Sequence, residues 1–504
     1  MKSGFCRLVF KNKELIMAIF TSAIVAFLFL VNSPLHPWRY GSTLTDSSVF
    51  KTVALMMEKG YMPYRDSFDH KGPLLYVINY YGMKIAYYRG VWFFEFVFLM
   101  TTVFLFYKIA RLVVSATASA LVALTAFSML FDYFGGGNYT EEYAMTFIAI
   151  GLYIFLDYLL NNRSSRFRIF LSGFLMGSVC LLRANMIAVW IVFCTAIFCL
   201  KIAKREWKQL RQFVLWFEVG FLMIVVPFVI WLAVNDALSA CIADYLFFNM
   251  QYTSSEGGAS FSGKCSAILK FSGGAVWIMA FVGCFYNIRK KRFVHTIYIV
   301  YMLLELTFLG MSGKHPDHYG MVLIPAVVYP ISLIIENVEN LSDKEVTRVA
   351  KMLVSIYIVS AIIVPSSIGT LKAIPSFYEN RGNEQPDDTT RRVSDVVLNL
   401  TTEDDAISVY GNWDIIYVLT QRRHATKYSY QDPIGQVMPE IMEEYMEQLE
   451  EELPPIIVVS DGHYDDRIQS FLEKHEYSPV WPKDDEGLDY SSSVRVFFHP
   501  AETE

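Results

Sequence analysis

The chain has 504 residues, 54% of them hydrophobic and 18% charged, with a net charge of −6 and a mean hydropathy of +0.33. Soluble domains carry about 25% charged residues, so a wholly soluble protein is excluded. The acidic balance excludes nucleic acid as a partner, because a phosphate backbone asks for a concentrated basic face.

Charge is sparse from residue 15 to 369 and returns beyond it. This divides the chain into a membrane body, residues 1–369 with a polar loop at 32–72, and a soluble tail, residues 370–504. A membrane-spanning helix takes about 20 apolar residues. Eleven runs answer that description: 15–31, 91–107, 112–131, 141–160, 169–182, 184–200, 213–234, 267–288, 294–311, 319–336 and 351–369. The expected fold is therefore a polytopic α-helical membrane protein carrying a small α/β domain.

Lys2, Arg7, Lys11 and Lys13 precede the first run, which places the N-terminus in the cytoplasm by the positive-inside rule. No small-residue cleavage site follows, so this run reads as an anchor. Basic loops recur at Lys108/Arg111, Arg163/Arg166/Arg168, Lys201 to Arg211, Arg289 to Arg292 and Lys344/Arg348/Lys351. All of them fall inside only if the apolar segment 74–88 lies at the membrane surface without crossing. The loops 32–72, 135–142, 235–266 and 312–319 and the whole tail then face the non-cytoplasmic side of the plasma (inner) membrane.

The first of these loops is the richest. Asp46 opens a run in which Val49, Phe50, Val53, Met56 and Met57 share a helix face, where it serves equally as an N-cap or as a reactive carboxylate. Further on, Arg65, Asp66, Asp69, His70 and Lys71 crowd beside Pro73 and an apolar helix. The Gly and Pro punctuation implies a fixed loop rather than a solvated charge run. Lys71 offers a point charge to a phosphate, and Arg65 a planar fork.

In the next loop three glycines precede Asn138, Tyr139, Thr140, Glu141 and Glu142. The two glutamates are either partners of a helix dipole or site residues. Arg183 interrupts an apolar stretch, where a charge is costly unless it snorkels or functions. Lys314, His318 and Tyr319 stand before a later span; interfacial anchoring accounts for the tyrosine.

In the tail, 406–411, 415–420, 454–461 and 494–500 read as strands, 434–452 as an acidic helix and 379–396 as a polar linker or capping region. The seven cysteines show no CxxC or Cys/His spacing, so no zinc site is expected, and nothing indicates another divalent metal or a cofactor.

The order D…GxxPYRDxFDHKGPLLY, GGxNYTEE, an Arg-Ala-Asn break and HY before a span resembles the GT-C superfamily of polytopic glycosyltransferases. Within it the sequence is similar to the family-39-like enzymes, akin to protein O-mannosyltransferases and the lipid A aminoarabinose transferase. The resemblance runs across about residues 10–330 and is weak in the tail. It implies transfer of a sugar from a polyprenyl-phosphate carrier to an acceptor (glycan, lipid or protein) at the outer membrane face. It also implies Asp46 at the reaction centre, Lys71 on the carrier phosphate and a second acid from Glu141 or Glu142. Asp69, His70, Asn138, Arg183 or Arg65, Lys314, His318 and Tyr319 are the expected substrate contacts. The sequence departs from these relatives in placing Ser47 after Asp46, where some have Asp-Glu. A polysaccharide polymerase or ligase and a lipid-carrier flippase are the alternatives. A transporter would place polar groups near the bilayer midplane and often shows internal repeats; here the polar groups lie in loops and no repeat is found.

Overall fold

A computed structural model describes residues 2–31, 33, 45–255, 261–272, 275–311, 316–340, 348–349, 352, 388–482 and 494–499. Their contacts form two compact units that are not a linear cut at residue 369. A helical unit takes in Met1–Trp38, Trp92–Val229 and Gly257–Ser376. A sheet-bearing unit joins Arg39–Val91 and Ile230–Glu256 to Phe377–Glu504.

Among the described residues seven helices are long and apolar enough to cross a membrane: Lys13–Leu30, Val91–Ala110, Ala116–Tyr133, Thr140–Asn161, Trp207–Val234, Arg292–Gly310 and Asp317–Asn337. Leu222, Met223, Val226 and Ile230 of the fifth are exposed, as side chains facing lipid are. The expected runs 169–182 and 184–200 fall on the shorter helices Arg166–Cys180 and Ala188–Ala203. The run 267–288 falls on two helices, Phe261–Ser272 and Ala275–Asn287, and 351–369 lies outside the described residues. Segment 74–88 forms helix Pro73–Ala86, whose 14 residues fall short of a span.

Among the described residues the sheet-bearing unit holds five strands: β1 Ala406–Tyr410, β2 Arg423–His424, β3 Ile456–Val459, β4 Ser478–Trp481 and β5 Arg495–Phe498. They lie in the order β2-β1-β3-β5-β4, with β2, β1 and β3 parallel and β5 antiparallel to both neighbours. Ile407, Val409, Ile456, Val458 and Val496 build the core with Val393, Val397, Ile416 and Tyr417. Two expectations are corrected. Segment 415–420 is a helix, Ile415–Thr420, because parallel β1 and β2 need a crossover between them. The supposed linker is helical from Asp388 to Leu400; its polar residues cover one face while Val393 and Val397 bury the other.

Candidate active site

In the sheet-bearing unit, helix Thr45–Glu58 buries Val49, Phe50, Val53 and Met56, the face their spacing predicts. Asp46 stands half-buried in its first turn, where a carboxylate complements the helix dipole. The chain then turns tightly. Tyr64, with φ of 69°, donates its amide to the Ser67 carbonyl at 2.8 Å and its phenol to the Lys71 carbonyl at 2.7 Å. Arg65 lays its fork on both Asp66 oxygens, at 2.8 and 2.7 Å, and reaches the Asn235 carbonyl at 2.8 Å. Burial would raise the Asp66 carboxyl, but Arg65 and the Met62 amide hold it below its ordinary value.

Asp69 is only 1% exposed and accepts three hydrogen bonds: from the His70 amide at 2.7 Å, the Tyr76 phenol at 2.9 Å and the Tyr430 phenol at 3.2 Å. Burial raises its carboxyl above the ordinary range despite the nearby Lys71 charge. Burial first, then the charges of Asp69, Asp414 and Asp46, push the Tyr430 phenol well above its usual value. Asp46 and Lys71 therefore both act on the Asp69–Tyr430 pair. Lys71 Nζ lies 2.7 Å from His70 Nε2, and the His70 ring rests beside Phe248 and Tyr252 at 5.4 and 5.7 Å between centroids.

Tail residues hold this loop in place. The Phe68 amide donates to the Lys427 carbonyl at 2.8 Å, His424 Nε2 meets the Ser67 hydroxyl at 3.1 Å, and Lys427 pairs with Asp244 at 3.0 Å. Burial lowers His424 to about 4 and raises Asp244 to about 6. Sequence reasoning missed Tyr76, Asp414, Lys427 and Tyr430. The stretch 424–432, HATKYSYQD, does carry the same mixture of aromatic and charged residues as the loop it grips.

In the helical unit, Gly135, Gly136 and Gly137 all take positive φ, and the Glu95 carboxyl fills the space a Gly137 Cβ would need. Asn138, with φ of 60°, donates its amide to Glu95 at 3.0 Å and to Glu142 at 2.8 Å, while its side-chain oxygen accepts from Tyr143 at 2.9 Å. Glu142 thus turns inward and locks the turn. Glu141 pairs with Arg183 and accepts from the Thr140 hydroxyl at 2.8 Å. The Arg183 guanidinium lies 4.2 Å from the Tyr319 ring centroid, a cation–π contact. His318 stacks on Tyr139 at 4.1 Å.

Glu141, Arg183, Asn185 and Tyr319 line a small pocket together with Glu305, a buried carboxyl whose Oε2 has no hydrogen-bond partner among the described residues. Glu95 and Glu305 are the residues missed here; a lone charge inside an apolar run is the signal that marks them. Lys314 lies outside the described residues. Among the described residues no three His, Cys, Asp or Glu side chains gather closely enough to hold a metal ion.

Apolar spanning helices, buried polar clusters at their loops and a small mixed sheet make this a multi-pass α-helical membrane protein with an α/β domain. The structure is similar to ArnT from Cupriavidus metallidurans bound to undecaprenyl phosphate, with a TM-score of 0.61 at 14% identity over 96% of this chain and 97% of that one. Apo ArnT from the same organism gives 0.60 at 12% identity, covering 97% and 98%. The apo oligosaccharyltransferase of Archaeoglobus fulgidus gives 0.52 at 11% identity, covering 96% of this chain and 76% of that one. No curated protein matches the sequence. Residues 7–365 match the family described as "Putative competence-induced protein Ccs4 N-terminal domain", and the chain belongs to that family.

Proposed function

We propose that this protein is a glycosyltransferase that takes a sugar from a polyprenyl-phosphate carrier and passes it to an acceptor at the non-cytoplasmic face of the membrane. The observation that carries this reading is the end-to-end likeness to ArnT, whose structure holds undecaprenyl phosphate. It is supported by a carboxylate, Asp46, and a cation, Lys71, within one compact unit that also holds the buried Asp69–Tyr430 hydrogen bond.

In the proposed step the bond between the sugar's anomeric carbon and the phosphate oxygen breaks, and the electron pair leaves with the lipid phosphate. The acceptor hydroxyl or amine forms the new bond and yields its proton to Asp46, acting as general base. Lys71 meets the charge growing on the departing phosphate, with His70 accepting one of its protons in a hydrogen bond. Asp69 is a positioning residue that fixes the backbone of His70 and the loop carrying Lys71. Glu141 and Arg183, with Tyr319, form a second polar pocket suited to hydroxyl groups of a sugar or acceptor. Arg65, bound to Asp66 and Asn235, is assigned to holding the loop.

The test is release of polyprenyl phosphate from a panel of polyprenyl-phosphate sugars by membranes containing the protein. Asp46→Asn should lower turnover by about 10²–10⁴-fold, the usual worth of general-base catalysis, at unchanged expression. Turnover that survives the substitution removes Asp46 as the base. If the wild type consumes no donor in the panel, the reading itself falls.

A further inference from the structure

The C-terminal sheet contains a feature that the transfer reaction does not use. β1 and β3 are parallel neighbours, yet the chain leaves them in opposite directions. From β1 it crosses to β2 at one edge, and from β3 it passes through helix Asp466–Lys474 to β4 at the other. Where connections diverge in this way, the carboxyl ends of the two strands part, and α/β proteins bind ligands in the resulting crevice. A crevice of about 340 Å³ lies there, between Gly411 after β1 and His463 after β3, with helix Pro439–Glu452 along its side. That volume suits a small ligand.

Its walls are firmly built. Gln431 is buried; its side chain accepts from the Gly411 amide at 2.8 Å and donates to the Val409 and Tyr428 carbonyls at 3.3 and 3.0 Å. At Gly411, with φ of 112°, the space a Cβ would need is already filled by the Ser460 hydroxyl and the His463 ring, so only glycine lets the turn after β1 close against them. His463 Nε2 stands 3.6 Å from Asp432, and His463 Nδ1 3.0 Å from the Ser460 hydroxyl. This alignment is not a nucleophile relay, because Ser460 is buried and donates its proton to the Tyr410 carbonyl at 3.0 Å.

The lining decides the ligand class. Asp432, Glu443 and Asp465 outnumber Arg467, which disfavours an anion. The described residues hold no metal-binding cluster, which disfavours a divalent cation. Carboxylates and an imidazole beside the apolar surfaces of Pro439 and Met442 offer hydrogen bonds to hydroxyls and contact to a C–H face. We propose that this crevice binds a neutral saccharide.

The test is isothermal titration of the full chain in lipid nanodiscs, since glycoside detergents would compete. The probes are glucose, galactose, rhamnose, N-acetylglucosamine and maltose. At Gly435, which lines the crevice, an added Cβ would meet Met442 at 3.7 Å, an ordinary contact, so the backbone accepts a side chain there and Gly435→Leu narrows the crevice. At least one sugar should bind, and Gly435→Leu and the exposed Glu443→Gln should each weaken it about tenfold or more. Asp46→Asn should leave the affinity unchanged, which separates this site from the transfer reaction. The proposal is overturned if no probe binds the wild type, if Gly435→Leu binds as well as wild type, or if Asp46→Asn abolishes binding.

Discussion

Asp414 lies buried ahead of helix Ile415–Thr420, with Oδ1 accepting from the Ser429 hydroxyl at 2.5 Å and Oδ2 without a hydrogen-bond partner among the described residues. Burial raises its carboxyl from 3.8 to about 7. Between those two values the folded chain keeps a proton that the unfolded chain has lost, so stability falls as pH rises through the window and the full penalty applies above about 7. At about 1.4 kcal/mol per unit the penalty is bounded at about 4 kcal/mol. His424 acts in the opposite sense: burial lowers it from 6.5 to about 4, so its contribution rises with pH across that range. The two offset one another in acid, and Asp414 dominates near neutrality. Asp414→Asn keeps an acceptor for Ser429 and never ionises. Its thermal-unfolding midpoint, relative to wild type, should rise more at about pH 8 than at about pH 5; a difference that is constant with pH would refute the assignment. Nothing near residue 414 in the sequence marks it, because its burial comes from tertiary packing. The Tyr430–Asp69 bond is hidden for the same reason, spanning 361 residues. What singles out Lys71 in the sequence is charge crowded against an apolar helix, whereas Asp46 stands out only as the acid that opens a helical run.

At the scale of elements, periodicity identifies what is long and one-sided. The apolar runs that fall on described residues become helices, and the buried face of Thr45–Glu58 follows from its spacing. Short elements are ambiguous: IIYVLT has the composition of a strand, and only the parallel pairing of β1 with β2 makes it a crossover helix. The glycine turn shows local sequence setting the position of a polar pocket. It sends Glu142 inward to the Asn138 amide and leaves Glu141 for Arg183. Gly137→Ala would place a Cβ against Glu95 at a residue with φ of 86°. The expected cost is about 1–3 kcal/mol, read as a lower unfolding midpoint in detergent. Because the turn also carries Glu141, donor turnover should fall as well. Wild-type stability and turnover in the Gly137→Ala protein would show that the turn tolerates another conformation.

At the scale of the molecule, orientation rests on charge. Long apolar helices show that the chain is multi-pass, whereas the side each loop faces follows only from the basic segments and from helix Pro73–Ala86 not crossing. The two compact units allow an independent check, because the sheet-bearing unit joins early and late parts of the chain. Lys59 and Glu443 are both exposed and belong to that unit, so one orientation must account for both. Arg166 and Lys208 are exposed in basic segments of the helical unit. In a cysteine-free background, Lys59→Cys and Glu443→Cys should react with a membrane-impermeant maleimide in intact cells. Arg166→Cys and Lys208→Cys should react only after permeabilisation. If helix Pro73–Ala86 crosses after all, every loop beyond it changes sides: Lys59 stays outside, Glu443 labels only after permeabilisation, and Arg166 and Lys208 label without it. Asp46 and the basic segments would then face the same compartment, and the positive-inside argument for a non-cytoplasmic site would no longer hold.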